Sequence, residues 1–412
     1  MASCDTTPGM RTLDDALQTI IGQILPLTEY EVLDIAAADG RVLAADVLST
    51  MAVPPADNSA MDGYAVRIED LTEFDRLEVT QRVMAGDPMG QPLVAGSCAR
   101  IMTGAMIPPG ADTVIMQEDV EVGDDGMIRV RAAVKPGANI RRAGEEIEPG
   151  QQILQAGRRL RAADLGLLAS IGVGAVQVMR RIRVALIATG NELVRPGVAL
   201  QPGQIYESNS FVLGSLLRRM GVEVIDFGIV SDDIDALRQA FLSADSQADL
   251  VISSGGVSVG EADLSRQILA EVGSVDLWKL AIKPGKPFAF GRLPTSFYAG
   301  LPGNPVSAMV TFHQLVVPML RRLAGEAVKP PLKLDAMVDE KIRKRPGRMD
   351  FQRAIVWKDD EGVFRARALP RQGSSLLTTM SQSDAYIVLA ADSPGVDAGE
   401  YVKVILFDGL LT

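Results

Sequence analysis

Between residues 181 and 327 the sequence alternates short apolar runs with amphipathic stretches, and few folds accept that order. RVALIAT at 183–189 reads as a continuous buried strand and is followed by the helical pattern NSFVLGSLLRRMG. VEVIDFGIV leads into DIDALRQAFLSA, and ADLVISS into ADLSRQILAEVG. LWKLAI, FAFG and FYAG precede a last helix through PVSAMVTFHQLVVPMLRRLAG. Strands alternating with helices of this length predict a doubly wound parallel α/β sheet. The flanks have another texture. TLDDALQTIIGQIL places its apolar residues at helical spacing behind a Thr12/Asp15 cap. Residues 46–146 break into short alternating runs between Gly and Pro turns, with 17 acidic against 9 basic side chains, which predicts an acidic β-rich module. RAADLGLLASIG predicts another helix, and from residue 328 the pattern is strand-like to the end. The expectation is therefore a multidomain α/β chain. It has a central doubly wound domain at 181–327, a β-rich domain at 46–146 and a small C-terminal β-domain at 328–412.

Composition narrows the chemistry. The 412 residues carry 41 Lys and Arg against 52 Asp and Glu, a net charge of −11, and this argues against duplex nucleic acid or an anionic membrane as main partner. No apolar run approaches the ~20 residues a bilayer needs. The start of the chain has no basic-then-apolar signal pattern, so a cytoplasmic protein is expected. Cys4 and Cys98 form no CxxC, and the lone His313 sits in an apolar helical run, where packing is the ordinary role. Chemistry must then come from carboxylates, Lys, Arg, hydroxyls, backbone amides or a bound ion. The cluster Lys341, Arg343, Lys344, Arg345, Arg348 and Arg353, with Asp350 its one acid, reads as a solvated face.

In an open α/β sheet ligands bind beyond the carboxyl ends of the strands. Those ends carry Thr189, Gly190, Asn191 and Glu192; Ser231, Asp232 and Asp233; SSGGVSVGEAD with Gly255, Gly256, Ser258, Gly260 and Asp263; IKPGKP with Lys283 and Lys286; and LPGNP with Gly303 and Asn304. A strand feeding SGGVSVG and then a helix offers unobstructed N–H groups beside a positive helix end, which suits phosphate or another oxyanion. No Gly-Lys-Ser/Thr follows, so P-loop hydrolysis is disfavoured, and Ser253, Ser254 and Ser258 read as turn residues. Glu192, Asp232 and Asp263 could hold Mg²⁺ against a phosphate, with Lys279, Lys283 and Lys286 neutralising an oxyanion.

The strings DNSAMDGYA (57–65), RIMTGA (100–105), NIRRAGEE (139–146), SSGGVSVGEAD, WKLAIKPGKPFAFG, LPGNPVSA and GRMDFQR occur in order along nearly the whole chain. Together they resemble the MoeA-type molybdopterin molybdenumtransferases, relatives of the gephyrin E domain. The resemblance implies the last step of molybdenum cofactor synthesis: molybdate is inserted into adenylated molybdopterin and AMP is released, with Mg²⁺ present. It also implies a homodimer of four-domain subunits whose first domain is discontinuous, 1–45 plus 147–180. Each active site is implied to lie between the α/β domain of one subunit and the β-rich domain of its partner. Transient contact with molybdopterin adenylyltransferase and with downstream cofactor-handling proteins follows from the same likeness. Carried over by motif, Asp62, Thr103, Arg141 and Glu146 line the cleft from the β-rich domain. Glu192, Asp232, Asp263, Lys279 and Lys283 come from the α/β domain, Pro302 and Pro305 from the LPGNP turn, and Arg353 and Ser374 from the C-terminal domain. The family often has Asp where Glu146 and Asn191 stand. The competing readings are molybdopterin adenylyltransferase, which lacks the flanking β-rich material, and a gephyrin-like scaffold, which has a long linker and a fused module. A CinA-like hydrolase would leave DNSAMDGYA unexplained.

Overall fold

The computed structural model describes residues 9–256 and 264–407. Among them, six strands make the central sheet: β1 (Arg183–Thr189), β2 (Glu223–Val230), β3 (Leu250–Ser254), β4 (Ser274–Lys279), β5 (Pro287–Arg292) and β6 (Phe297–Leu301), in the order β2-β1-β3-β6-β5-β4. β1 runs parallel to β2 and β3, and β3 runs parallel to β6. β5 alone is antiparallel to both its neighbours. The doubly wound sheet is as expected, but not purely parallel, and the connectors explain why. Only residues 293–296 join β5 to β6, and only 280–286 join β4 to β5. A parallel crossover needs a dozen or more residues, so these strands turn back as hairpins.

Helices α1 (Asn209–Arg219), α2 (Ile234–Asp245), α3 (Leu264–Val272) and α4 (Pro305–Thr311) cover the sheet. Alternate residues of β1 serve its two faces. Val184 and Leu186 pack with Leu213 and Leu217 of α1, while Ala185 and Ile187 pack with Leu237 and Phe241 of α2 and Ile268 of α3. Each such Leu, Ile or Phe contributes roughly 1.5–3 kcal/mol on leaving water. At the amino end of the sheet Arg180 grips both Asp249 carboxylate oxygens at 2.8 Å, and the Arg183 N–H donates to the same group at 2.8 Å. Burial pushes the Asp249 carboxyl up, but these donors more than offset it and hold the group below its ordinary range.

The last helical run is interrupted. Pro318 has no amide for the carbonyl four residues back, and the turn before it, Phe312–Val316, widens to a π-helix in which the Val317 N–H donates to Phe312 O. His313 lies on that turn, its ring centroid 6.0 Å from that of Tyr386, in the packing role its surroundings suggest.

The first helix, Leu13–Gln23, is capped by Thr12, whose hydroxyl accepts from the Asp15 N–H at 3.0 Å. Its partners are distant in sequence. Ala16, Ile20 and Ile24 join a core with Leu320 and Leu323 of helix Val317–Leu323 and with Phe351, Tyr386 and Phe407 of the C-terminal strands. Leu27 N–H donates to Leu323 O at 2.9 Å, and Arg322 Nε to Ile24 O at 3.1 Å. One compact unit thus gathers the described residues of Met1–Glu31, Gly40–Val42 and Met179–Thr412; Val32–Asp39 and Leu43–Val178 form the other.

The second unit holds the β-rich module. Its sheet runs Thr113–Met116, Gly63–Val66, Ser97–Ile101, Leu77–Val83, Met127–Val130, Val120–Val122 in spatial order. Gly63 is required there, since a Cβ would stand 1.9 Å from Ile115 O of the neighbouring strand. Cys98 is buried inside the sheet, and desolvation pushes its thiol up to about 12, which removes it as a nucleophile at neutral pH. Among the described residues no helix is long and apolar enough to cross a membrane.

Candidate active site at the carboxyl edge of the sheet

The ends of β1, β3 and β6 and the start of α1 and α4 surround a cavity of about 450 Å³. Its lining includes Glu192, Glu207, Asn209, Ser254, Gly255, Gly256, Pro302, Asn304 and Pro305. The glycines are there for conformational reasons. Gly255 has φ +93° and Gly256 φ +65°, and a Cβ on either would press on Thr189 at the end of β1: 2.6 Å from Thr189 O for Gly255, and 3.0 Å from Thr189 Oγ1 for Gly256. The strand end therefore leaves the sheet with bare backbone facing the cavity. The Thr189 hydroxyl beneath is buried with no hydrogen-bond partner among the described residues.

Asn209 closes the floor. Its Nδ2 donates to Ser254 Oγ at 2.5 Å and to Gly303 O at 2.8 Å, tying the first turn of α1 to the end of β3 and to the LPGNP turn. Glu207, 5% exposed, accepts from the Ser210 N–H at 2.8 Å and so fixes the entry to α1. Ser253 is bonded to Tyr298 at 2.5 Å, so Ser253 and Ser254 are spent within the fold, as their turn-residue reading suggests.

Five of the sequence-derived candidates, Glu192, Gly255, Gly256, Pro302 and Pro305, line this cavity. The Glu192 carboxylate lies over Gly190, where a Cβ would be 2.7 Å from Oε2. Asp232 is bonded to Asn191, the residue before Glu192. Its backbone N–H donates to Asn191 Oδ1 at 3.0 Å, and its carboxylate accepts from the Asn191 N–H at 3.3 Å. Lys279 ends β4 opposite Pro287, a lining residue, and Lys286 is exposed in the same loop. Lys283 is 3.2 Å from Asp350 and faces a separate hollow. Ser374 touches the rim through its backbone, accepting from the Val306 N–H at 3.0 Å at the start of α4. Arg353 is elsewhere in character. It is fully buried, and its guanidinium donates to Thr379 Oγ1, Arg371 O and Gly373 O. Ser258, Gly260 and Asp263 lie outside the described residues, as does Cys4. Asn209 and Glu207 have the look of an ordinary helix start in the sequence; an amide one residue inside a helix, after the cap position, is the one local signal of their role.

The second unit gathers its own candidates. Gly63–Val66 and Ser97–Ile101 pair antiparallel with Gly63 opposite Ile101, so Asp62 and Thr103 meet at one end of the pair. Asp62 Oδ1 accepts from both the N–H and the hydroxyl of Thr103 at 2.8 Å, and these bonds hold its carboxyl below the ordinary range. A lowered pKa keeps Asp62 ionised at neutral pH. Whatever it contributes is intact above the ordinary carboxylate range, near pH 4, and is lost as the pH falls through the depressed value. Asp57 accepts from Ala143 N–H at 2.8 Å and Arg142 Nη1 at 2.6 Å, joining DNSAMDGYA to NIRRAGEE. Arg141 and Glu146 are exposed, and among the described residues their side chains make no hydrogen bond.

The chain matches three family descriptions in succession. Residues 11–172 match the MoeA N-terminal region (domain I and II), 185–322 a probable molybdopterin binding domain, and 335–407 the MoeA C-terminal region (domain IV). A molybdopterin molybdenumtransferase of Haemophilus influenzae is 45% identical over 403 residues, covering 98% of this chain and 100% of that protein. Gephyrin of Dictyostelium discoideum is 30% identical over 96% of this chain, which spans 62% of gephyrin's length. The solved MoeA protein of Pyrococcus horikoshii OT3 aligns over 97% of this chain and 100% of its own, with a TM-score of 0.83 and 30% identity. A relative at that identity over its whole length, beside three successive family matches in this chain, leaves one assignment: the chain belongs to the MoeA family of molybdopterin molybdenumtransferases and is a transferase of molybdenum cofactor biosynthesis.

Proposed function

We propose that this chain inserts molybdenum from molybdate into adenylated molybdopterin and releases AMP. The supporting observation is the glycine-floored cavity at the sheet's carboxyl edge, where Gly255 and Gly256 present backbone without side chains and Glu192 stands at the wall. Water splits the phosphoanhydride to free AMP, and the dithiol takes up molybdate as one oxo group leaves as water with the two thiol protons. No protein nucleophile is needed, because the substrate brings both the sulfurs and the leaving group. The protein's part is positioning and charge. Lys279 and Lys286 balance the oxyanion, while Glu192 and Asp62 accept or return protons as the oxo group departs.

Magnesium fits the donor set. Among the described residues no three His, Cys, Asp or Glu are gathered into a metal cage. Mg²⁺, however, usually takes one or two carboxylates and completes its shell with water and phosphate, and Glu192 and Asp232 offer such hard oxygens. Bound there, with Asp263 as a third candidate, it would offset phosphate charge.

The direct test supplies purified protein with adenylated molybdopterin, Mg²⁺ and molybdate. AMP release and transfer of active cofactor to an apo-molybdoenzyme are expected, and AMP formation without cofactor loading would discard the insertion step. Asp62→Ala is expected to slow AMP release by about 100-fold, the scale of a lost proton-transfer group. A wild-type rate would remove Asp62 from the mechanism. The working form is proposed to be a homodimer in which Asp62, Thr103, Arg141 and Glu146 of one subunit serve the sheet edge of the other. Mixing an Asp62→Ala subunit with a Gly256→Val subunit should then restore part of the activity. Two inactive variants that stay inactive when mixed as dimers would refute the shared site.

A further inference from the structure

Four residues of the basic cluster that sequence alone reads as a solvated face, Arg343, Lys344, Arg345 and Arg348, border a hollow. Lys283, Arg343, Lys344, Arg345, Arg348 and Asp350 line about 370 Å³. Backbone pairing fixes three of them. Arg343 lies opposite Gly395 in a two-stranded ladder, and Lys283 lies opposite Asp350 where Ile282–Lys283 pairs parallel with Met349–Lys358. Between them Gly347, at φ +110°, turns the chain so that Arg345 and Arg348 return to the same hollow, and its N–H is held by Ala391 O at 2.7 Å. Lys344 is a strut. Its Nζ donates to Ala391 O at 2.9 Å and Ser393 O at 3.0 Å, and burial pushes its ammonium pKa down.

Charge in this hollow is not balanced from within. Asp350 is the one acid among the described lining residues, 2% exposed, and is already engaged by Lys283 and by Gln352 at 3.2 Å each, while Asp392 stands near enough to act on Lys344. Among the described residues the guanidinium groups of Arg343, Arg345 and Arg348 have no hydrogen-bond or ion-pair partner. Many other arginines are ion-paired, among them Arg129 with Asp75, Arg131 with Glu121, Arg142 with Asp57, Arg238 with Glu271 and Arg367 with Asp339. Three unpaired guanidiniums converging in a chain of net charge −11 leave a site that an anion completes. The arginine fork matches the oxygens of a tetrahedral anion.

We propose that the hollow formed by Arg343, Arg345 and Arg348 binds a doubly charged tetrahedral oxyanion, at a subsite separate from the glycine-floored cavity. The source is an inorganic oxyanion or the phosphate of a nucleotide. The inference goes beyond the reaction proposed above, because occupancy requires no pterin, and a failed insertion assay leaves its test intact.

The test measures uptake of inorganic phosphate, sulfate and molybdate by the full chain at low ionic strength, by equilibrium dialysis and calorimetry. Saturable binding is expected to lose one equivalent in Arg343→Gln/Arg345→Gln/Arg348→Gln, and to weaken roughly tenfold or more in high salt through screening. Arg345→Lys/Arg348→Lys keeps the charge and loses the fork, so it should bind more weakly than wild type and fold normally. Repeating the titration with AMP separates the sources: tighter, arginine-dependent binding of AMP assigns a nucleotide phosphate, and equal or weaker binding an inorganic ion. Unchanged uptake in the triple-Gln and Lys variants overturns the proposal. So does unsaturable uptake of every oxyanion alongside saturable capture of poly-glutamate, which would mark a protein-docking face instead.

Discussion

Gly255→Ala is expected to cut AMP release by about 100-fold and to lower stability by about 2–4 kcal/mol. Two costs add at this position. An L-residue at φ +93° carries roughly 1–2 kcal/mol of backbone strain, and the new methyl would sit 2.6 Å from Thr189 O, a backbone atom fixed in the sheet. Relief by shifting the loop is resisted, because Ser254 is in register with Leu301 and the Gly255 N–H donates to Leu301 O at 3.2 Å. What does shift is the cavity floor, and a misplacement of about 1 Å in a positioned site costs about two orders of magnitude. The contrast is Gly166→Ala in the helix Ala162–Ser170, where nothing lies within 4 Å of the new methyl. That variant should gain about 0.5–1 kcal/mol from helix propensity and keep full activity. Urea titration with the AMP assay reads both; a Gly255→Ala enzyme that turns over normally would mean the bare strand end has no part in the chemistry.

Arg353→Met is expected to lose about 2–5 kcal/mol, at about 1–3 kcal/mol for each buried acceptor left without its donor, the largest stability effect anticipated for a single side chain in the C-terminal domain. Its guanidinium is fully buried and, among the described residues, forms no ion pair; it donates to Thr379 Oγ1 at 3.2 Å, Gly373 O at 2.9 Å and Arg371 O at 3.4 Å. Burial pulls its pKa down, but an arginine stays protonated, so removing it leaves carbonyls without donors. The consequence reaches the rim. Arg353 holds the 371–373 strip, and the next residue, Ser374, accepts from Val306 at the first turn of α4. Arg353 is therefore a positioning residue in this geometry. The urea midpoint should fall together with activity, and Arg353→Lys should recover only part of each. Lost turnover with an unmoved midpoint would instead place the guanidinium on the substrate.

These two sites mark how far the residues alone could be read. The glycines at 255 and 256 were legible because a strand running into two glycines before a helix has a physical meaning wherever it occurs. The same holds for Glu192 and the LPGNP turn. Arg353 reads as the edge of a basic surface cluster, since nothing in GRMDFQR says that its last residue turns inward while Arg348 faces a hollow. Asn209 escaped notice because its partners are 45 and 94 residues further on. The strand–helix alternation gave the layers but not the reversal of β5, which only the four-residue connector to β6 dictates. Burial of Asp350 beside five cations likewise depends on a pairing between residues 283 and 350 that no local pattern announces.

The docking of the first helix onto Val317–Leu323 bears on how the molecule comes into being. Leu13–Gln23 leaves the ribosome about 300 residues before the helix that buries Ala16, Ile20 and Ile24. At typical translation speeds this is a wait on the order of 15–60 s, during which an apolar face has no native cover. Phe351, Tyr386 and Phe407 arrive later still. The α/β layer can therefore be assembled during synthesis but sealed only at its close, and the nascent chain is an obvious client for a chaperone that shields amphipathic helices near the tunnel exit.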